Sequence, residues 1–168
     1  ATATAPRRDR DMRNPRARKV VGPICHHRDM ALSASEKQEF LAQPHVAAFS
    51  VAELGRGPLT VPVWYAYEPG GKPWITIGPG SRKATALAAT GRFSLMVDTV
   101  EPRTMYVSVE GPVAESRPSA DDEVRAMAAR YLSGAALDGY LEFAFGQLGE
   151  HLTVILEPEH WLGADLTM

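Results

Sequence analysis

Six consecutive residues, Gly78-Pro79-Gly80-Ser81-Arg82-Lys83, combine the types and spacing that anion chemistry needs. They join a strand-like run, Trp74 to Ile77, to an alanine-rich helical run, Ala84 to Thr90. The order is therefore strand, Gly/Pro turn, Ser cap, two cations, helix. Such a helix start offers backbone N–H groups without intrahelical partners, the positive end of the helix dipole and two cationic side chains. A phosphate matches all three. Taken alone, the hexapeptide better fits a capped surface helix whose Arg82 and Lys83 are simply solvated; the rest of the chain reverses that balance.

Other polar clusters read as structural. Cys25-His26-His27 lacks the spread of a closed metal site, and no second Cys/His cluster follows, so no metal is expected. His45, His151 and His160 are isolated along the chain, although His160 stands next to Trp161 near the C-terminus. Glu110 is expected to face solvent or an interface cation. Asp121, Asp122 and Glu123 suit the first turn of a helix, where carboxylates complement the dipole. No acid–base or nucleophile motif is recognisable.

The elements that would position these residues follow from periodicity and punctuation. Ser33 with Glu36 forms a capping box for a helix to about Leu41. Val46 to Leu54 reads as a strand, and Gly55-Arg56-Gly57-Pro58 as a turn. Leu59 to Tyr67 reads as a second strand with Val61, Val63, Tyr65 and Tyr67 on one face. Pro62 inside it implies an edge, a bulge or a ligand-facing position. Pro69-Gly70-Gly71-Lys72 turns the chain into Trp74 to Ile77. Ser81 caps the next helix, and Gly91 fits its C′ position. Phe93 to Val97 and Met105 to Val113 are strands. Ser119 with Asp122 opens an amphipathic helix ended by Gly134, and Ala135 to Phe145 is a further helix. Leu152 to Leu156 is the last strand, followed by Pro158 and Trp161. Strands with hairpin turns and few helices predict a mainly β, α+β architecture: an antiparallel sheet or barrel.

A chain of 168 residues with 45% hydrophobic and 23% charged residues suits one globular domain. The net charge of −2 hides an asymmetry, because residues 1–29 carry +5 and residues 30–168 carry −7. We read 1–29 as a basic N-terminal arm, with Met30-Ala31-Leu32-Ser33 resembling a start just ahead of the first helix. A basic arm raises nucleic-acid binding, which the acidic body opposes. One cysteine rules out an intrachain disulfide and fits a reducing, cytoplasmic compartment. No apolar run is long enough to span a bilayer, so no membrane partner is expected.

From Ala48 to Val113 the chain resembles the pyridoxamine-phosphate-oxidase-like, flavin-binding split-barrel superfamily. The resemblance rests on AAFSVAELGRGPLTVPVWYAYE, WITIGPGSRKATALAATGRFSLMVD and MYVSVEGPVAE, an ordered VPVW strand, Ser-Arg-Lys helix start and VEG strand. The tail, AARYL followed by HLTVILEPEHWLGADL, is similar to the branch that uses FMN or the deazaflavin F420. The resemblance implies a six-stranded antiparallel split β-barrel with flanking short helices, forming a homodimer with cofactor sites at the subunit interface. It places Ser81, Arg82 and Lys83 on the cofactor phosphate and Val61, Pro62, Val63 and Trp64 beside the ring system. Gly78 and Gly80 would let the backbone approach. Tyr65, Tyr106 and Trp161 are expected around the substrate. The true oxidases carry an Arg-Gln pair where this chain has Met105 and Tyr106, and their C-terminal Arg-Leu motif is missing after Trp161. The expected function is thus a flavin-type oxidoreductase, not a true pyridoxamine phosphate oxidase, using F420 or FMN with the Met105-Tyr106 pair tilting toward F420. Its substrate would be a small unsaturated organic molecule. The alternative is a non-catalytic carrier of a flavin, haem or tetrapyrrole on the same fold.

Overall fold

Two antiparallel sheets share one long strand. The computed structural model describes residues 30–167, so the basic arm and Cys25-His26-His27 lie outside the described residues. The elements are α1 (Ala34–Leu41), β1 (Ala47–Val51), β2 (Leu59–Val63), β3 (Tyr65–Ala66), β4 (Trp74–Ile77), α2 (Arg82–Thr90), β5 (Arg92–Thr99) and β6 (Met105–Pro118). They continue with α3 (Asp121–Tyr131), α4 (Gly134–Phe143), a π-helical turn (Ala144–Leu148), β7 (Leu152–Leu156) and β8 (His160–Asp165). The strand order β2-β1-β5-β6-β7-β4-β3, with β8 also on β6, gives an α+β split barrel. No helix among the described residues is long and apolar enough to cross a membrane.

Among the described residues eight strands are present where six were expected. The run Leu59 to Tyr67 divides at Trp64: β2 pairs with β1, whereas β3 pairs with β4. The eighth strand, β8, pairs with β6 from Met105↔Asp165 to Glu110↔His160. Its composition hides it, because Gly163 and Ala164 have low strand preference and the pairing is carried by backbone. Two helix ends also differ. Ala120, not Ser119, is the N-cap of α3, and Gly134 opens α4 instead of closing α3.

The core follows from two-residue alternation. Phe49, Tyr65, Ile75, Leu95, Val97, Val107, Val109 and Leu156 point inward and are buried, with the Phe49 and Phe93 rings 5.3 Å apart. β6 is the hinge of this arrangement. The chain from Leu152 to Asp165 follows it from one end to the other, first as β7 and then as β8. Between them, residues 157–159 step across Gly111, held by Glu157 N–H to the Pro112 carbonyl and Glu159 N–H to the Glu110 carbonyl, both 2.9 Å. A methyl group built on Gly111 would overlap the Glu157 carbonyl oxygen. The glycine of the VEG run is thus required by a close backbone crossing.

The helical layer is tied to the barrel by tyrosines. The Tyr131 hydroxyl accepts the Tyr65 N–H at 3.1 Å and shares its proton between the Tyr65 and His45 carbonyls, each at 2.8 Å. Tyr65 donates its own hydroxyl to the Leu41 and Gln43 carbonyls at 2.7 and 2.9 Å, beside the Arg130 guanidinium, which donates to Ala42 and Gln43. The carbonyls at the C-terminus of α1 are therefore satisfied by side chains from other elements.

At the start of α3, Glu123 receives two bonds of 2.7 Å from Arg117, one of 2.9 Å from the Ala120 N–H and one of 3.0 Å from Thr153. Chiefly the Arg117 guanidinium brings its carboxyl down to about 2. A carboxyl depressed in the folded chain contributes stability above its unfolded value near 4.5, and that contribution is lost as pH falls toward 2. The urea midpoint of the unmutated chain should exceed that of Glu123→Gln at pH 6, with the gap narrowing as pH falls from 4.5 to about 2.5. Gly111→Ala is expected to cost about 1–3 kcal/mol in urea unfolding through overpacking at the crossing.

Candidate functional site

The segment Gly78–Lys83 lies where the chain leaves β4 in one sheet and enters α2 on its way to β5 in the other. The Ser81 N–H donates to the Gly78 carbonyl at 3.1 Å and closes the turn. Ser81 is the N-cap: its hydroxyl accepts the Ala84 N–H at 3.2 Å, and its carbonyl accepts the Thr85 N–H at 3.1 Å. Gly91, in the left-handed region at φ 66°, closes the other end by donating to the Leu87 carbonyl at 2.8 Å. The N–H groups of Arg82 and Lys83 have no hydrogen-bond partner among the described residues. They stand in the first turn, at the positive end of the helix dipole.

The two cations differ in their surroundings. Arg82 is held in a fork by Glu53, Nε donating to one carboxylate oxygen at 2.6 Å and a terminal nitrogen to the other. Lys83, half-buried, makes no ion pair among the described residues. Glu53 sits in the connection between β1 and β2, and its carboxyl is lowered below the usual range, first by the Arg82 hydrogen bond. Arg56 approaches the same carboxylate at 3.9 Å. Sequence reasoning missed Glu53. A carboxylate in a Gly/Pro-rich connection carries no signal of a partner 29 residues away.

Gly78 and Gly80 are both exposed, and neither has positive φ. A Cβ at either would meet nothing within 4 Å. Nothing in the chain's own conformation or packing requires glycine there, and the backbone stays open to close approach. Beside α2 runs an apolar cleft of about 580 Å³, bordered by Ile77, Pro79, Ala84, Leu87, Ala88 and Val113. The donor set thus suits an oxyanion next to apolar surface.

The remaining residues expected around a ligand do not gather at one point. On β2, Pro62 faces outward, while Val61 is half-buried and Val63 buried against the core. A ligand beside this strand would meet Val63 through its backbone. Trp64 turns the other way and packs under the helices, stacked on Tyr131 at 5.0 Å and tilted against Tyr140 at 4.9 Å. Tyr65 has no exposed surface, and both its ends are committed to hydrogen bonds, so it lines no pocket. This corrects its expected place at the substrate, and the cause is alternation: the residue that follows an outward one on a barrel strand points inward. Tyr106 and Trp161 lie on opposite faces of their sheet. Trp161, opposite Val109, packs on Tyr67 with rings 5.8 Å apart, whereas Tyr106 stands with Ser108 and Glu110 on the outer face. Glu110 and its cross-strand neighbour His160 are exposed. The His45 ring packs tilted against Phe40 at 4.7 Å, and burial lowers its pKa.

The family model described as pyridoxamine 5'-phosphate oxidase matches residues 34–161. The search of curated proteins finds no match. Among solved structures, an F420 reductase superposes with a TM-score of 0.60 at 16% identity, covering 74% of this chain and 94% of that one. An FAD-binding protein from Mesorhizobium loti gives 0.54 at 21%, covering 82% and 97%. A haem-binding protein from Mycobacterium smegmatis gives 0.52 at 20%, covering 77% and 53%. At these identities the structures share the fold. With the split barrel and the matched span together, the chain belongs to the pyridoxamine 5'-phosphate oxidase family.

Proposed function

We propose that this chain is an oxidoreductase that binds F420 or FMN with the cofactor phosphate at the start of α2 and reduces a small unsaturated organic substrate. The observation that carries the reading is the unclaimed donor set. The Arg82 and Lys83 N–H groups and the Lys83 ammonium have no partner among the described residues, behind two glycines the fold itself does not need. Charge-assisted bonds from such groups to phosphate are the strong class of hydrogen bond. A reduced flavin or deazaflavin held there would supply the hydride of a two-electron reduction, with the accompanying proton drawn from solvent. The protein's part is to anchor the phosphate with Lys83, to set the ring beside the outward face of β2 at Pro62, and to exclude water.

Met105 and Tyr106 replace the Arg-Gln pair of the true oxidases, which argues against pyridoxamine phosphate as substrate and favours F420 over FMN. The homodimer implied by the resemblance has a surface to use. Met96 and Leu162 stand on the uncovered outer face of the sheet at 37% and 61% exposure, in one cross-strand row with Ala48, Pro62 and Ser108. A cofactor carrier is the second reading, supported by the fold shared with an FAD-binding and a haem-binding protein. A flavin carrier needs the same phosphate contacts, whereas haem brings carboxylates and no phosphate.

Fluorescence titration with F420 and with FMN should give saturable binding of at least one, weakened about 10-fold or more in Lys83→Ala, the scale of a lost charged hydrogen bond. Equal affinity in the mutant would remove the phosphate from α2. Reoxidation of the reduced, bound cofactor by a panel of enones separates enzyme from carrier. Sedimentation should show a dimer that Leu162→Glu converts to monomer.

A further inference from the structure

The Glu53–Arg82 fork has no role in the function proposed above, yet it changes the charge of the site. Resting on that cofactor reading, we infer that Glu53 is a specificity-determining residue: by neutralising Arg82 it sets the α2 site for a singly charged phosphodiester, as in F420, over a doubly charged phosphomonoester, as in FMN.

Charge accounting carries the inference. Lys83 contributes one positive charge, and the dipole of α2 contributes roughly half a charge at its N-terminus. Arg82 would add another, but Glu53 lies against it with only 13% of its side chain exposed. What remains, roughly 1.5 charges, exceeds the single charge of a diester but reaches only the lower end of a monoester's about −1.5 to −2 at neutral pH, whereas an unpaired Arg82 would cover the monoester in full. Arg56 reaches the same carboxylate only at 3.9 Å and is 66% exposed, so water screens its contribution.

Repulsion acts in the same direction. An anion that bonds Arg82 also approaches the Glu53 carboxylate, and Coulomb energy scales with the product of the charges, so a dianion meets about twice the repulsion of a monoanion. The fork also limits geometry. With Nε and one terminal nitrogen given to Glu53, Arg82 keeps only its other terminal nitrogen wholly free, and the two-pronged grip that arginine gives a phosphate is lost. Glu53 stays ionised across the working range, because Arg82 holds its carboxyl low.

The test is the dissociation constant of F420, FMN and riboflavin for the unmutated chain, Glu53→Gln and Glu53→Asp, read by fluorescence. The unmutated chain is expected to prefer F420 over FMN. Glu53→Gln should tighten FMN about tenfold more than F420 and leave riboflavin unchanged, because riboflavin lacks the phosphate. Glu53→Asp keeps the charge and should keep the preference, which separates charge from any disturbance of the β1–β2 connection. An F420-to-FMN ratio equal in the unmutated chain and Glu53→Gln overturns the inference and leaves the cofactor reading standing, as does riboflavin tightening in step with FMN. Binding of neither cofactor by any of the three overturns both.

Discussion

The backbone crossing at Gly111 is the constraint on which the barrel depends. β6 must serve two sheets, and the ribbon that runs along it, β7 then β8, must change sheets opposite the same point. Only a residue without a side chain lets the Glu157 carbonyl turn in there while the two hydrogen bonds to Glu110 and Pro112 hold the step in place. The ion pairs of Glu157 with Lys72 and Glu159 with Arg92 sit at the surface of this step and add little. Backbone contact and sterics hold the crossing.

Because the sheets part in this way, the chain needs a connection from β4 in one to β5 in the other, and α2 is that connection. Its N-terminus is left exposed, with its first donors unclaimed among the described residues. The small residues of its inner face let it lie close, with Ala86 and Leu87 buried. Glu53 then fastens the β1–β2 connection to the same turn. A site for an anion is thus assembled from a sheet-to-sheet connection, a strand connection and a helix cap, each of which the fold requires anyway.

Much of this is written locally in the sequence. Ser81, Gly91 and the capping box of Ser33 and Glu36 declare their helix ends because each acts on backbone within four residues. The inward faces of β1, β5 and β6 follow from alternation. What stayed hidden depends on distant partners. Trp64 breaks a continuous apolar strand because Tyr131 and Tyr140 wait beneath it from helices far along the chain. Tyr65 resembles a pocket aromatic until Leu41 and Gln43 are seen to take its hydroxyl. Of the candidate site, the residues on α2 were legible, and Glu53 was not, because its meaning lies wholly in Arg82.

The margins of the sheets carry a consequence for how copies of this chain can meet. β2 is a terminal strand, and Pro62 removes a donor from its middle. β3, also terminal, has the Tyr65 N–H and carbonyl taken by the Tyr131 hydroxyl. Along β8, residues 30–32 already occupy the free side, with Leu32 N–H on the Gly163 carbonyl and Asp165 N–H on the Met30 carbonyl. Each of these margins is blunted in its own way, so strand-to-strand polymerisation, the common hazard of open sheets, finds no template among the described residues. Association is left to the faces, where side chains set the specificity and growth can stop at a closed pair.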